Sequence, residues 1–310
     1  MNFNLREKNW AYLLVLLVVI VGIGTFINSS FLKISNLLSI IRSYSIFGVL
    51  AIGVAVVLLT GEFDLSVGSI LSLSAVLGGQ LAFMGNSFLV LVVTLLVGLV
   101  LGLINAYLVT KANIPSLIVT LATLIIYAAA AAWISQGQAI YPYGLNKYLW
   151  MGKGSIGIVP VPALIFMSVA LLMTIILKTT KFGKKMYAVG SSEPAGWLAG
   201  LSVDRIKASA FVISGVLAAL AAPMTSGRYN RIWPAQGDGM ELTALAIAVL
   251  GGISLEGGKG NIGSVALAAL VYGGIIRIIE LAGFGTYVAN LFTGSLLIFA
   301  VGLMRYSKQN

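Results

Sequence analysis

The chain of 310 residues contains no cysteine and no histidine. The first absence excludes disulfides and thiolate nucleophiles, and the two together exclude Cys/His metal sets and the imidazole general base. Charge is scarce too: Asp, Glu, Lys and Arg supply 9% of the residues, where average usage is about 25%. Most hydrolytic and redox constellations therefore lack their parts, and neither a catalytic nor a metal site is expected. What fills the sequence is apolar, with 59% hydrophobic residues and a mean hydropathy of +1.02.

A spanning helix needs about 20 apolar residues. The apolar blocks predict an all-α, polytopic transmembrane bundle of about ten spans, at roughly 10–29, 44–60, 66–84, 87–109, 115–134, 160–178, 208–227, 240–254, 261–281 and 286–304. Little chain is left for a soluble domain, so residues 1–310 read as one transmembrane domain. The first block follows Arg6 and Lys8 but is long enough to span and has no small-residue cleavage site, so it reads as a retained span. Small-residue runs such as GVLAIGV at 48–54 and GVLAALAA at 215–222 suit close helix packing.

The net charge of +10 is spread through the connections between spans, where it bears on topology and anionic headgroups rather than on nucleic acid. An even number of spans puts both termini on one side. Placing them inside gives the inner segments twelve of the 19 Lys and Arg and the outer loops six, with Arg277 inside a span. The positive-inside bias therefore predicts cytoplasmic termini. Arg277 and Glu280, at i and i+3, are expected to pair or snorkel.

Three stretches stand out from the apolar background. GEFDLSVGS at 61–69 sets Glu62 and Asp64 between two spans; Asp64 fits a cap for the helix that follows. In AVGSSEPAGWLAGLSVDRIK at 188–207, hydroxyls precede Pro194 and an apolar stripe of Trp197, Leu198 and Leu201, which predicts a short amphipathic helix ended near Gly200. On these residues alone it is a connecting helix at the lipid interface. The third, GDGMELTALAIAVLGGISLEGGKG at 237–260, is no phosphate loop, since Ile253 and Gly260 occupy the places where Gly and Ser/Thr are required. Within it, Leu255 to Gly260 reads as a tight inner turn, with Asn261 capping the next span.

Taken in order and at this spacing, the three stretches resemble the membrane-spanning permease subunits of bacterial ATP-binding-cassette importers that serve ribose, xylose, arabinose and related simple sugars. The resemblance covers nearly the whole chain. It implies a bacterial inner-membrane protein that moves substrate by alternating access. It also implies a coupling helix within the loop at about 179–207 that docks on a separate cytoplasmic ATPase, carried by Ser192, Glu193, Ala195, Gly196, Gly200 and Leu201. Ser192 stands where Asn is usual in the family, Gly196 where Ala is, and Trp197 where a polar residue is common. ATP and magnesium would bind the partner ATPase, with no cofactor on this chain. A second permease copy or a related permease and an extracytoplasmic sugar-binding protein complete the implied assembly.

A path for sugars needs modest polar groups that bond hydroxyls without holding them tightly. The candidates are Glu62, Asp64, Ser69, Ser72, Asn105, Thr120 and Thr123, although intramembrane hydroxyls such as Ser72 and Thr123 commonly bond helix backbones instead. In the outer loop, Arg228, Tyr229 and Arg231 offer a docking surface for the binding protein; anchoring to headgroups is the rival reading. Two other functions stay open. One is a permease for branched-chain amino acids or nucleosides. The other is an ion-coupled transporter, which would need an ionisable site within the spans, for which Glu62, Asp64, Arg277 and Glu280 are the nearest candidates.

Overall fold

The computed structural model describes residues 9–309; Arg6 and Lys8 lie outside them. In chain order the helices are α1 (Asn9–Ile27), α2 (Ile34–Leu59), α3 (Val67–Gly79), α4 (Ser87–Thr110), α5 (Ser116–Ile134), α6 (Asn146–Lys153), α7 (Val161–Thr179), α8 (Lys181–Ser191), α9 (Glu193–Leu198), α10 (Val203–Tyr229), α11 (Met240–Leu250), α12 (Ile262–Leu281) and α13 (Thr286–Gln309). Between α6 and α7, β1 (Ser155–Ile156) and β2 (Val159–Pro160) form an antiparallel hairpin.

Seven of these helices, α1, α2, α4, α5, α7, α10 and α12, are long and apolar enough to cross a membrane, and three shorter apolar segments lie in α3, α11 and α13. The chain is thus a multi-pass, all-α membrane protein, with an apolar helix at each of the ten expected places. Two helix starts differ from the sequence reading, and α3 ends at Gly79 rather than near 84 and α13 at Gln309 rather than near 304. Helix α2 begins at Ile34 rather than near 44. The polar residues that marked its start lie inside the helix, where Arg42 donates to the Lys153 carbonyl and, at 3.0 Å, to Ser155 Oγ. Helix α10 begins at Val203 rather than near 208; its first turn buries Val203 and Ile206 but carries Asp204, which pairs with Lys111 at 3.0 Å, and Arg205, so the turn lacks an apolar run.

The core is built from backbone approach as much as from side-chain volume. Gly98 and Gly102 of α4 face Gly215 of α10 so closely that a methyl added to Gly215 would lie 2.4 Å from the Gly98 carbonyl oxygen. Small residues at a helix crossing permit such contact. Helix starts are closed by side chains where the sequence provides them. Asn86 accepts from the N–H groups of Phe88 and Leu89, both at 3.1 Å, and Asn261 accepts from Gly263 at 2.8 Å.

The bundle has two distinct ends. One carries α8, α9, the α2–α3 connection and the α11–α12 connection. The other carries α6, the β-hairpin and the segment 230–239, which is tied to the α5–α6 connection by a bridge between Ile140 and Ile232.

Candidate functional site

Three features of this bundle stand apart from plain helix packing: a helix exposed at one end, a joint of two half-length helices inside, and a polar cavity toward the other end.

The exposed helix is α9. Thr180 caps α8 by accepting from Gly183, and Ser192 caps α9 by accepting from Ala195 at 3.4 Å, with Pro194 in the first turn. Gly200, at φ +74°, ends the helix in a conformation that L side chains avoid. Of the expected stripe, Trp197 and Leu198 are 71% and 78% exposed, whereas Leu201 is half-buried and packs against the core. Gly196 is buried; a methyl there would meet Val189 at 3.5 Å, which is ordinary contact. Ala195 and Glu193 are exposed. At α8, the Tyr187 hydroxyl donates to the Gly260 carbonyl at 2.9 Å, and burial pushes its phenol above the ordinary value, keeping it a donor.

Glu62 is tied to this helix through α10. Lys207 Nζ lies 2.7 Å from Glu62 Oε1 and 2.6 Å from Glu193 Oε2. The α2–α3 connection also meets the rest of this end backbone to backbone, with Gly258 N–H donating to the Leu59 carbonyl at 3.0 Å. Methyls added at Gly190 and Gly257 would fall 1.9 Å from Leu59 O and 2.7 Å from Gly61 N.

The internal joint explains the second carboxylate. By the α-helical rise, α3 with 13 residues is about 20 Å long and α11 with 11 residues about 16 Å, each shorter than a hydrocarbon core of about 30 Å. Their N-termini meet. A methyl on Gly68, in the first turn of α3, would lie 2.3 Å from the carbonyl of Gly237, just before α11. Ser72 Oγ accepts from the Gly237 N–H at 2.9 Å. Asp64 does not cap α3 as the sequence suggested: Ser66 holds the N-cap position without a side-chain cap bond, and Asp64 braces it by accepting from its N–H at 3.0 Å and its hydroxyl at 2.6 Å, and from Ser214 Oγ at 2.7 Å. Ser214 lies about 16 Å along α10 from Val203, so the chain climbs into the bundle between Glu62 and Ser66 before α3 begins. Asn105 Nδ2 donates to Ser66 Oγ at 2.8 Å, and Tyr127 bonds Asn105 at 3.3 Å. The Glu241 carboxylate, in the first turn of α11, lies at the same crossing, where a methyl on Gly68 would fall 2.5 Å from its Oε2.

The remaining path candidates are buried and locally engaged. Ser69 donates to the Ser66 carbonyl at 2.9 Å, Thr120 to the Ser116 carbonyl at 2.8 Å and Thr123 to the Thr120 carbonyl at 3.4 Å.

A cavity of 410 Å³ opens among α2, α10, α11, α12 and α13, walled by Tyr44, Tyr229, Trp233 and Tyr272 and supplied with polar groups by Ser43, Thr225, Gln236, Thr243, Asn290 and Thr293. Arg228 and Tyr229 line it; none of the seven path candidates does. Arg231 stacks over Trp233 at 4.6 Å. Arg277 is engaged by Glu280 at 2.8 Å and by Asn36. Buried Gln236 keeps its Nε2 without a partner, while its Oε1 accepts from Ser226 at 3.4 Å. Sequence reasoning missed this wall, although Ser39, Ser43 and Phe47 recur at four-residue intervals on α2, a polar and aromatic face in an apolar helix. It also passed over Lys207, whose carboxylate partners lie on other elements.

Residues 36–301 match the family described as branched-chain amino acid transport system, permease component. The chain is 35% identical to the ribose import permease of Bacillus subtilis strain 168, over 94% of this chain and 90% of that one. It is 31% identical to the D-allose transport system permease of Escherichia coli K12, covering 98% and 94% of the two chains. With the L-arabinose permease of Azospirillum brasilense it shares 32% identity, over 90% and 82%. No solved structure matches it. The three sequence stretches, the membrane-spanning helices and the match over most of the chain agree: this chain belongs to the branched-chain amino acid transport system permease family.

Proposed function

We propose that this chain is the permease subunit of an ATP-driven importer of a simple sugar, and that the sugar enters it through the cavity at the end opposite α9. The cavity carries this reading. Its volume of 410 Å³ falls in the range of about 300–1,000 Å³ typical of small-molecule sites. Its walls set aromatic faces beside neutral hydroxyl and amide groups, with Arg228 and the paired Arg277 and Glu280 as the charged side chains among the lining residues, and the aromatic and hydroxyl faces suit a hydroxylated ring. A free amino acid would need a carboxylate to receive its ammonium, and Glu280, the acid lining the cavity, is already held by Arg277. The relatives named for ribose, allose and arabinose support the sugar over the amino acid in the family's description.

Residues 1–310 act in this reading as one transmembrane domain. Helix α9, within the loop at about 179–207, is the coupling helix. Ser192 and Gly200 fix its ends, Gly196 and Leu201 seat it, and Glu193, Ala195, Trp197 and Leu198 face the cytoplasmic ATPase that binds ATP and magnesium. The positive-inside bias supports cytoplasmic termini. Arg228, Tyr229 and Arg231 then lie on the outer side, where a sugar-binding protein delivers its load to a pair of permeases. Glu62 and Asp64 are committed to Lys207, Ser66 and Ser214, which favours ATP over ion coupling as the source of work.

The test is uptake of labelled ribose, allose, arabinose and leucine into vesicles holding this chain with its genetically linked ATPase and binding protein. One sugar should accumulate with ATP and be indifferent to a proton ionophore. Accumulation of leucine instead would replace the substrate, and uptake abolished by the ionophore would replace the mechanism.

A further inference from the structure

We infer that Lys207 is a positioning residue that fastens the docking helix α9 to the α2–α3 connection, so that a displacement of α9 is delivered to the start of α3. This rests on the reading of α9 as the coupling helix. One ammonium sits between two carboxylates from different elements, 2.6 Å from Glu193 on α9 and 2.7 Å from Glu62 on the connection. Lys207 and Glu62 are only 12% and 14% exposed, whereas Glu193 is 57% exposed. The inner pair is thus shielded from solvent and the outer carboxylate is open to a partner.

Position gives the bridge its leverage. Two residues beyond Glu62, Asp64 holds Ser66, the residue on which α3 starts, and holds α10 through Ser214. Helix α3 in turn meets the start of α11 at Gly68 and Gly237. The glycine contacts among Gly190, Leu59, Gly61 and Gly257 leave these segments no slack in which to slide independently. A pull on Glu193 therefore reaches two half-length helices through one ammonium and a backbone joint. Physical coupling of this kind needs an element with two arrangements, and the half-helix pair is the element that the bridge would bias. Without Lys207 the two carboxylates would repel, and α9 would be held to this end by its apolar seat and α8 alone.

The experiment compares the assembled importer carrying wild-type permease, Glu62→Gln, Lys207→Met or Lys207→Arg, reading sugar moved per ATP hydrolysed and the amount of ATPase retained on the membrane. Glu62→Gln and Lys207→Met should retain the ATPase and its hydrolysis yet lower the ratio about fivefold or more, with Lys207→Arg restoring most of it. A double-mutant cycle of Glu62→Gln with Lys207→Met on thermal unfolding of the purified full chain should be non-additive. An unchanged ratio in both charge-removing variants, with a functional wild type, overturns the inference alone. Loss of the ATPase with an unchanged ratio per bound enzyme overturns it as well, assigning Lys207 to docking. An additive cycle removes its structural basis. A wild-type assembly that moves no sugar with ATP overturns the importer reading, and the coupling role with it.

Discussion

Asp64 shows how a carboxylate can be buried in an apolar bundle without a counter-ion. Its relative exposure is 1%, and it receives two hydroxyls and one backbone N–H. Replacing it with Ala strands donors on three sides, at about 1–3 kcal/mol for each buried donor left unpaired. Asp64→Ala is therefore expected to lower the thermal midpoint in detergent far more than Asp64→Asn, which keeps an acceptor. Equal losses in a paired melt would mean that the negative charge, not the acceptor count, holds the joint. That Asp64 serves the start of α3 was legible because Asp precedes LSVGSILSL, but its partners were not: it braces Ser66, the residue before the helix, rather than capping the first turn, and its bond to Ser214 joins residues 150 apart.

At the scale of elements, the contact between α4 and α10 depends on three glycines. Gly215→Leu puts its first carbon within 2.4 Å of the Gly98 carbonyl and 2.9 Å of Gly102 Cα. Backbone atoms cannot swing aside as a flexible side chain can. A penalty of at least about 1–3 kcal/mol follows, visible as a lower unfolding midpoint and a poorer yield of folded protein. Gly22→Ala in α1, which meets nothing within 4 Å, should leave both unchanged. These crossings were foreshadowed by runs such as GVLAALAA, and most helices by the length of their apolar runs. The half-length of α3 was not foreshadowed, and that of α11 only in that its expected span, 240–254, already fell short of about 20 residues. Hydropathy counts apolar residues without regard to depth, and the apolar tail of α3 merges with the 3-10 turn at Ala82–Met84. The caps of α9 were legible because Ser192, Pro194 and Gly200 act locally. The cavity was not, because its walls come from five helices spread along the chain.

For the whole molecule, orientation is the property that follows from charge distribution rather than from any contact. With no native cysteine, single substitutions report it cleanly. Tyr143→Cys, at a residue 84% exposed beside α6, should react with a membrane-impermeant maleimide on intact cells. Lys184→Cys on α8 should react only after permeabilisation. The reverse pattern would invert the molecule and move α9 away from the cytoplasm.

The meeting of Gly68 with Gly237 also bears on how the protein is made. At 13 and 11 residues, neither α3 nor α11 is long enough to be captured in a bilayer as an independent span. Helix α3 emerges from the ribosome long before its contact at Gly237 exists. The early long helices must hold it, unfinished, inside a shell of α2, α4 and α5 until synthesis has passed Gly237. Biogenesis of this permease therefore includes a late docking step in which the segment 230–239 closes a joint begun by the first quarter of the chain.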